Sequence, residues 1–205
     1  MNVNPHQQGE WLVKRIGKVT ASRVKDIIAK TSKGAYTQKR ADYLMEIVTQ
    51  RLTGQQTPTY VNSSMQWGID HEGFARDAYT IKTGHKVDLV GFIQHPRLMC
   101  GASPDGLIGM EGGVEYKCPN SVKHVETIVN GMPAEHMPQI QMQMWMAGLQ
   151  WVDFVSYDPR LPAEMSLYIQ RIRRDEQYLN MLEEEVTKFL AEVDSTIAML
   201  QEKCK

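Results

Sequence analysis

The run Ser103–Lys117, S-P-D-G-L-I-G-M-E-G-G-V-E-Y-K, constrains this chain more than any other segment. It reads as strand, tight turn, strand, with Glu111-Gly112-Gly113 near the reversal. A turn there makes positions that sum to about 222 face each other, by the pairing geometry of a hairpin. Asp105 then lies opposite Lys117, and Leu107 opposite Glu115. Side chains alternate along a strand, so Glu115 and Lys117 share one face while Tyr116 points to the other. Two acids and a lysine inside an otherwise apolar hairpin are costly unless they bind something.

A hard divalent cation would account for the set. Magnesium takes carboxylate and carbonyl oxygens and keeps several waters. Asp105 and Glu115 offer carboxylates, and the backbone carbonyl of Tyr116 a third ligand. Such an ion lowers the pKa of a water and stabilises charge on an attacked phosphate, while Lys117 orients that water or offsets transition-state charge. By itself the D-x9-E-x-K spacing is equally compatible with a structural Asp–Lys pair beside a turn.

The surrounding pattern predicts one mixed α/β domain over residues 1–205, with a central β-sheet flanked by helices. Helices are expected over residues 20–30 (capped by Thr20 or Ser22), Lys39–Leu52 closed by Gly54, and Ser63–Thr83 followed by Gly84. The last of these should carry Trp67, His71, Phe74 and Ala78 on one face. Strand character follows in residues 85–96 and 98–119. Then come helices over Ser121–Asn130 and Glu135–Leu149, strands near 151–159 and 164–172, and a long amphipathic helix from Asp175. That helix sets Leu182, Val186, Phe189, Val193, Ile197 and Leu200 at three- and four-residue steps. The parts divide as a helical portion at about 1–84, a sheet core at about 85–174 and a C-terminal helix at about 175–203.

The net charge is −1 but unevenly spread. Trp11–Arg40 holds nine Lys/Arg against one acid, and Asp175–Lys205 eight acids against three lysines. The split suits one face for a polyanion and another turned away; Lys30, Lys33, Lys39 and Arg40 flank the first loop and are candidates for the former. Two solvated helix faces would give the same counts. The three cysteines, Cys100, Cys118 and Cys204, form no C-x-x-C pair and suit packing or surface roles. No apolar run approaches the roughly 18 to 20 residues of a membrane span, and Met1–Glu10 is polar, so a cytosolic location is expected. Gln139 and Gln143 share a helix face and need a polar partner if buried. The methionines around them read as core packing.

Six segments carry a resemblance: G-K-V-T-A-S-R (17–23), W-G-I-D-H-E (67–72), S-P-D-G (103–106), E-Y-K-C-P (115–119), P-Q-I-Q-M-Q-M-W (138–145) and Y-D-P-R (157–160). In these and in their order the chain resembles the phage lambda exonuclease family, the YqaJ-type viral recombinases, a branch of the PD-(D/E)-x-K restriction-endonuclease-like superfamily. The resemblance implies a restriction-endonuclease-like core and a two-metal nuclease using Mg2+, with Mn2+ able to substitute. It implies processive digestion of the 5′-ended strand of linear duplex DNA, leaving a 3′ single strand for annealing. A homotrimeric ring, a single-strand annealing partner and a phage or prophage origin in a bacterial cytosol are implied with it.

The same resemblance makes Asp105, Glu115 and Lys117 the catalytic core and places Glu72 near the second metal. It makes Arg15 a contact to the terminal 5′-phosphate, with Ser103 and Gln139 as further phosphate contacts. Arginine gives a planar fork to phosphate oxygens, and Ser22 falls in the first turn of a helix whose free N–H groups favour an anion. Met65 occupies a position where the family carries an apolar wedge between terminal bases; ordinary packing explains it as well. Two other readings remain: a restriction-like or structure-specific endonuclease, and a non-catalytic DNA-end-binding protein on the same fold.

Overall fold

The structure is a computed structural model that describes residues 9–58 and 60–205; most of the polar N-terminal stretch considered above lies outside them. In chain order the elements are α1 (Gly9–Arg15), β1 (Val19–Thr20), α2 (Val24–Ile28), α3 (Gln38–Thr53), α4 (Ser63–Thr83), β2 (Ile93–Gln94), β3 (Cys100–Ala102), β4 (Gly106–Ile108) and β5 (Gly112–Lys117). They continue with α5 (Ser121–Asn130), α6 (Met137–Ala147), β6 (Trp151–Tyr157), β7 (Leu167–Arg173) and α7 (Glu176–Lys203). The α/β class with flanking helices is as expected. The single central sheet is instead two: a small one ordered β1-β3-β2 and a larger one ordered β4-β5-β6-β7. Pro104, which has no N–H to give a ladder, lies where the chain passes from the first sheet to the second.

The larger sheet sets the site. Its β5 pairs in parallel with β6 and antiparallel with β4. One face of it packs Val114, Tyr116 and Val155 against Ala75 and Tyr79 of α4. The other packs Val152 and Phe154 against Ile140 and Met144 of α6. Hence α4 buries Ala75 and Tyr79, whereas Phe74 is 60% exposed, so the expected face of α4 is rotated. A separate core joins α2, α3 and α7 through Val24, Ile27, Ile47 and the predicted α7 stripe from Leu182 to Val193.

The hairpin register differs from expectation. Gly106 faces Val114, Leu107 faces Gly113 and Ile108 faces Gly112, so paired positions sum to 220. The reversal occupies residues 109–111, with Gly109 at φ 59°, a left-handed turn position that glycine accepts. Glu115 and Lys117, two apart in β5, share a face whatever the pairing. Residues 85–96 form strand only at Ile93–Gln94, plus an isolated bridge from Asp88 to Leu107. The expected helix over 20–30 is a 3-10 turn, Ala21–Arg23, leading into the five residues of α2, and neither Thr20 nor Ser22 supplies a side-chain cap.

The charge asymmetry has a different meaning from the one expected. Arg40 is 5% exposed and its guanidinium donates to both carboxylate oxygens of Glu192 on α7, at 2.6 and 3.0 Å. Lys30 pairs with Glu185, and Arg51 with Asp194. Part of the basic segment therefore helps dock α7, and the buried Arg40 is not a free DNA-facing cation. Arg40→Met should lower stability by about 1–3 kcal/mol, since it strands an ion-pair partner that is itself partly solvated. Urea unfolding measures this, and the salt dependence of DNA binding should stay as in the wild type. Weaker DNA binding with unchanged stability would return Arg40 to a DNA-facing role.

Candidate active site

Glu115 is the buried centre of the site. Its carboxylate is 3% exposed and stands on the α6 side of β5. Burying an ionised carboxylate costs several kcal/mol unless donors replace its water. Here Oε1 accepts from Lys117 Nζ and from Gln139 Nε2, both at 2.5 Å, and Oε2 accepts from Gln143 Nε2 at 2.5 Å. The four-residue step between the two glutamines puts both amides on one face of α6. The polar partner that their burial demanded is this carboxylate. Gln143 Oε1 is sealed from solvent and has no hydrogen-bond partner among the described residues.

Asp105 follows β3 in the loop to β4 and accepts from the backbone N–H of Tyr116 at 2.7 Å. Its carboxyl is held well above the usual carboxylate range, first by burial and then by the negative charges of Glu115 and Glu72, with Lys117 opposing. Burial would push the Lys117 ammonium down, but Glu115 and Asp105 outweigh it and raise it, so the lysine stays charged. Lys117 Nζ also reaches Gln139 Oε1 at 3.5 Å.

Two cavities meet at Asp105. The larger, of about 990 Å³, is lined by Glu72, Asp105, Glu115, Tyr116 and Lys117, with Met65 and Ile69 on an apolar wall. The smaller, of about 150 Å³, is lined by Arg15, Thr20, Ala21, Ser22, Ser103, Asp105 and Gln139. The predicted site residues thus divide between two adjoining hollows. Arg15 ends α1 and is partly buried, which lowers its pKa. Its approach is fixed by the following turn, where Gly17 at φ 69° donates to Gln50 and accepts from Arg51. A Cβ at Gly17 would sit 2.7 Å from the Arg51 side chain. Ser22 reaches its hollow as a hydroxyl on a short turn, within 3.4 Å of the Thr20 hydroxyl. The dipole expected of a longer helix is missing, because α2 spans only five residues.

The donor chemistry fits a hard cation. Among the described residues no three His, Cys, Asp or Glu side chains form a set that could hold an ion. The residues that would hold it are therefore Asp105 and Glu115, with the Tyr116 carbonyl and waters completing the shell. Magnesium accepts such an open, water-rich site. Glu72 lines the same cavity and acts on Asp105 through its charge.

The model of the YqaJ-like viral recombinase domain matches residues 10–150. The chain belongs to this family. LHK-Exo, an alkaline exonuclease from Laribacter hongkongensis, has a crystal structure that superposes with a TM-score of 0.89 at 46% identity, over 96% of this chain and 98% of that one. A second LHK-Exo structure, in complex with dAMP, matches equally. A phage-related exonuclease from Haemophilus somnus 129PT shares the fold, with a TM-score of 0.72 at 16% identity over 89% of this chain and 96% of that one. The Escherichia coli K12 protein ExoD is 33% identical over 63 residues, 31% of this chain and 71% of that protein.

In this YqaJ-type domain the structure adds His136, which the sequence reading did not single out. It lines the large cavity, stacks on Phe154 with ring centroids 5.4 Å apart, and is pushed down to about 4 by burial and by the Lys117 charge. Its position three residues before Gln139 was the available signal.

The raised Asp105 carboxyl yields a test. A carboxyl whose folded-state value exceeds its unfolded one gives stability that is present at low pH and lost as pH rises through the folded value. At neutral pH without a divalent cation this group therefore destabilises the chain. Asp105→Asn keeps an oxygen for the Tyr116 N–H and removes the charge. It should raise Tm in EDTA near neutral pH, by about 2–4 °C for each kcal/mol of repulsion relieved. A lower Tm than the wild type would contradict the repulsion.

Proposed function

We propose that this protein is a Mg2+-dependent exodeoxyribonuclease that digests the 5′-ended strand of duplex DNA from its end. The observation that carries this reading is the pair of hollows sharing Asp105. One holds an arginine and hydroxyls suited to a phosphate, the other carboxylates and an ammonium suited to hydrolysis. A small phosphate hollow beside a hydrolytic centre suits a terminal phosphate, since an endonuclease has no use for end recognition. The neighbouring LHK-Exo, an exonuclease solved with dAMP, supports the same substrate class.

Arg15, Ser22, Ser103 and Gln139 would grip the 5′-phosphate and set the reading frame of the strand, by bidentate and hydroxyl hydrogen bonds. Asp105, Glu115 and the Tyr116 carbonyl would hold the divalent cation, with Glu72 near a second one. A bound cation supplies Lewis acidity to the phosphoryl oxygens and lowers the pKa of water. Lys117, kept charged and aimed by Glu115 and Gln139, would stabilise the extra negative charge on the attacked phosphate. Met65 and Ile69 would receive the apolar faces of the terminal bases. A homotrimeric ring, a processive mode, Mn2+ as a substitute, an annealing-protein partner and a cytoplasmic, phage-type setting complete the reading. Among the described residues no helix is long and apolar enough to cross a membrane.

Linear duplex labelled at either end, with and without a 5′-phosphate, tests activity, polarity and end preference together. Mg2+-dependent release of the 5′ label, faster on phosphorylated ends, is expected, with closed circular duplex untouched. Arg15→Ala should erase the phosphate preference while leaving the rate on hydroxyl ends near wild type. Nicking of the closed circle, or equal losses for Arg15→Ala on both ends, would overturn the assignment.

A further inference from the structure

Three of the sequence segments that mark this chain leave residues with no part in the hydrolytic centre: Trp67, Pro119, and Asp158 with Arg160. They converge on a third hollow, of about 310 Å³, lined by Ser63, Ser64, Trp67, Asn120, Lys123 and Arg160 among others. It is continuous with the active-site cavity, which shares Ser64, Cys118, Pro119 and Lys123 with it. None of the residues lining it is acidic.

Arg160 is built into this hollow. Its Nε and Nη2 donate to the two oxygens of the buried Asp158 at 2.8 and 2.9 Å, and Nη2 also reaches the Pro119 carbonyl at 3.3 Å. The guanidinium carbon lies 4.2 Å over the centre of the Trp67 ring. Trp67 in turn stacks on His71, with centroids 3.5 Å apart. Among the described residues Nη1 makes no hydrogen bond, so a fixed cation keeps one donor edge unspent. The first turns of α4 and α5 border the same space, and neither carries an acid. Their free N–H groups add to the positive potential.

We propose that this hollow is a second phosphate-binding site, holding a backbone phosphate of the DNA away from the reacting linkage. The inference rests on the nuclease reading above. A phosphate fits better than a base, because Arg160 already lies over the indole ring on which a base would stack. A fork held flat by a buried carboxylate loses little rotamer entropy on binding, which suits it to phosphate oxygens. The phosphate could come from the paired strands or from the unpaired strand left by digestion. The chemistry is the same, and the substrates used below separate the two.

Ser63→Asp tests the site without threatening the fold. An acid in the first turn of α4 favours the helix but repels a phosphate in the hollow. Binding is measured by fluorescence anisotropy in EDTA, across a salt series, with 5′-phosphorylated duplexes that are blunt or carry an unpaired 3′ tail. Affinity should fall about 5- to 10-fold, and the slope of log K against log salt should shrink by about 0.9, the value of one lost phosphate contact. Tm should not fall. Loss on both substrates assigns the phosphate to the duplex, and loss on the tailed one alone to the unpaired strand. Ser63→Asn, which changes shape but not charge, should bind as the wild type, and Met110→Asp, on the exposed turn between β4 and β5, should cost less than Ser63→Asp. Unchanged affinity and slope for Ser63→Asp on both substrates, or an equal loss from Met110→Asp, would overturn the site and leave the nuclease reading standing. A wild-type chain that binds neither substrate would overturn both.

Discussion

The carboxylate of Glu115, set inside a sheet and 3% exposed, is the constraint around which this fold is arranged. Three side-chain donors replace its hydration: one from its own strand, Lys117, and two from α6, Gln139 and Gln143. Hydrogen bonds to a charged group are worth about 1.5–3 kcal/mol each, enough together to offset the desolvation. They also tie the helix to the sheet at one point. The Met-rich α6 packs on both sides of that tie, with Met142 in one core and Met144 in another. What makes α6 a structural helix therefore also makes it the second wall of the site.

The neighbouring carboxyl is placed differently. Asp105 has the Tyr116 N–H but faces two further negative charges, from Glu115 and Glu72. The pair is asymmetric: one acid is ringed by side-chain donors, the other is raised by burial and by its neighbours' charge. In the proposed reading a bound cation would relieve that repulsion, so affinity for the ion and instability without it would share one cause. In the proposed reading, the adjoining hollow, which shares Asp105 and is lined by Arg15, would bring a phosphate against this point. Membership of the YqaJ-like viral recombinase family and the likeness to LHK-Exo support an exonuclease.

Much of the site was legible in the sequence because alternation in a strand and four-residue steps in a helix survive small errors. The hairpin register differs by two residues from expectation, yet Glu115 and Lys117 share a face because residues two apart in one strand do so under any pairing. Gln139 and Gln143 announced a buried polar partner without naming it. What was hidden depended on partners distant in the chain. Arg40 looked like a DNA-facing cation until Glu192, 152 residues away, claimed it. The split of the sheet at Pro104, the meagre strand in residues 85–96 and the short helix after Ser22 all reflect tertiary packing overriding local preference. The Trp67–Arg160 stack gave no local signal, and His136 offered only its place three residues before Gln139, since each draws its meaning from residues across the fold.

The central claim is that Asp105 and Glu115 together form the seat of a hard cation. Crystals grown with Mn2+ and measured at the manganese absorption edge test it most directly. The account expects an anomalous peak between the Asp105 and Glu115 carboxylates, lost in Asp105→Asn. An occupied manganese site elsewhere, with nothing between these two side chains, would contradict it.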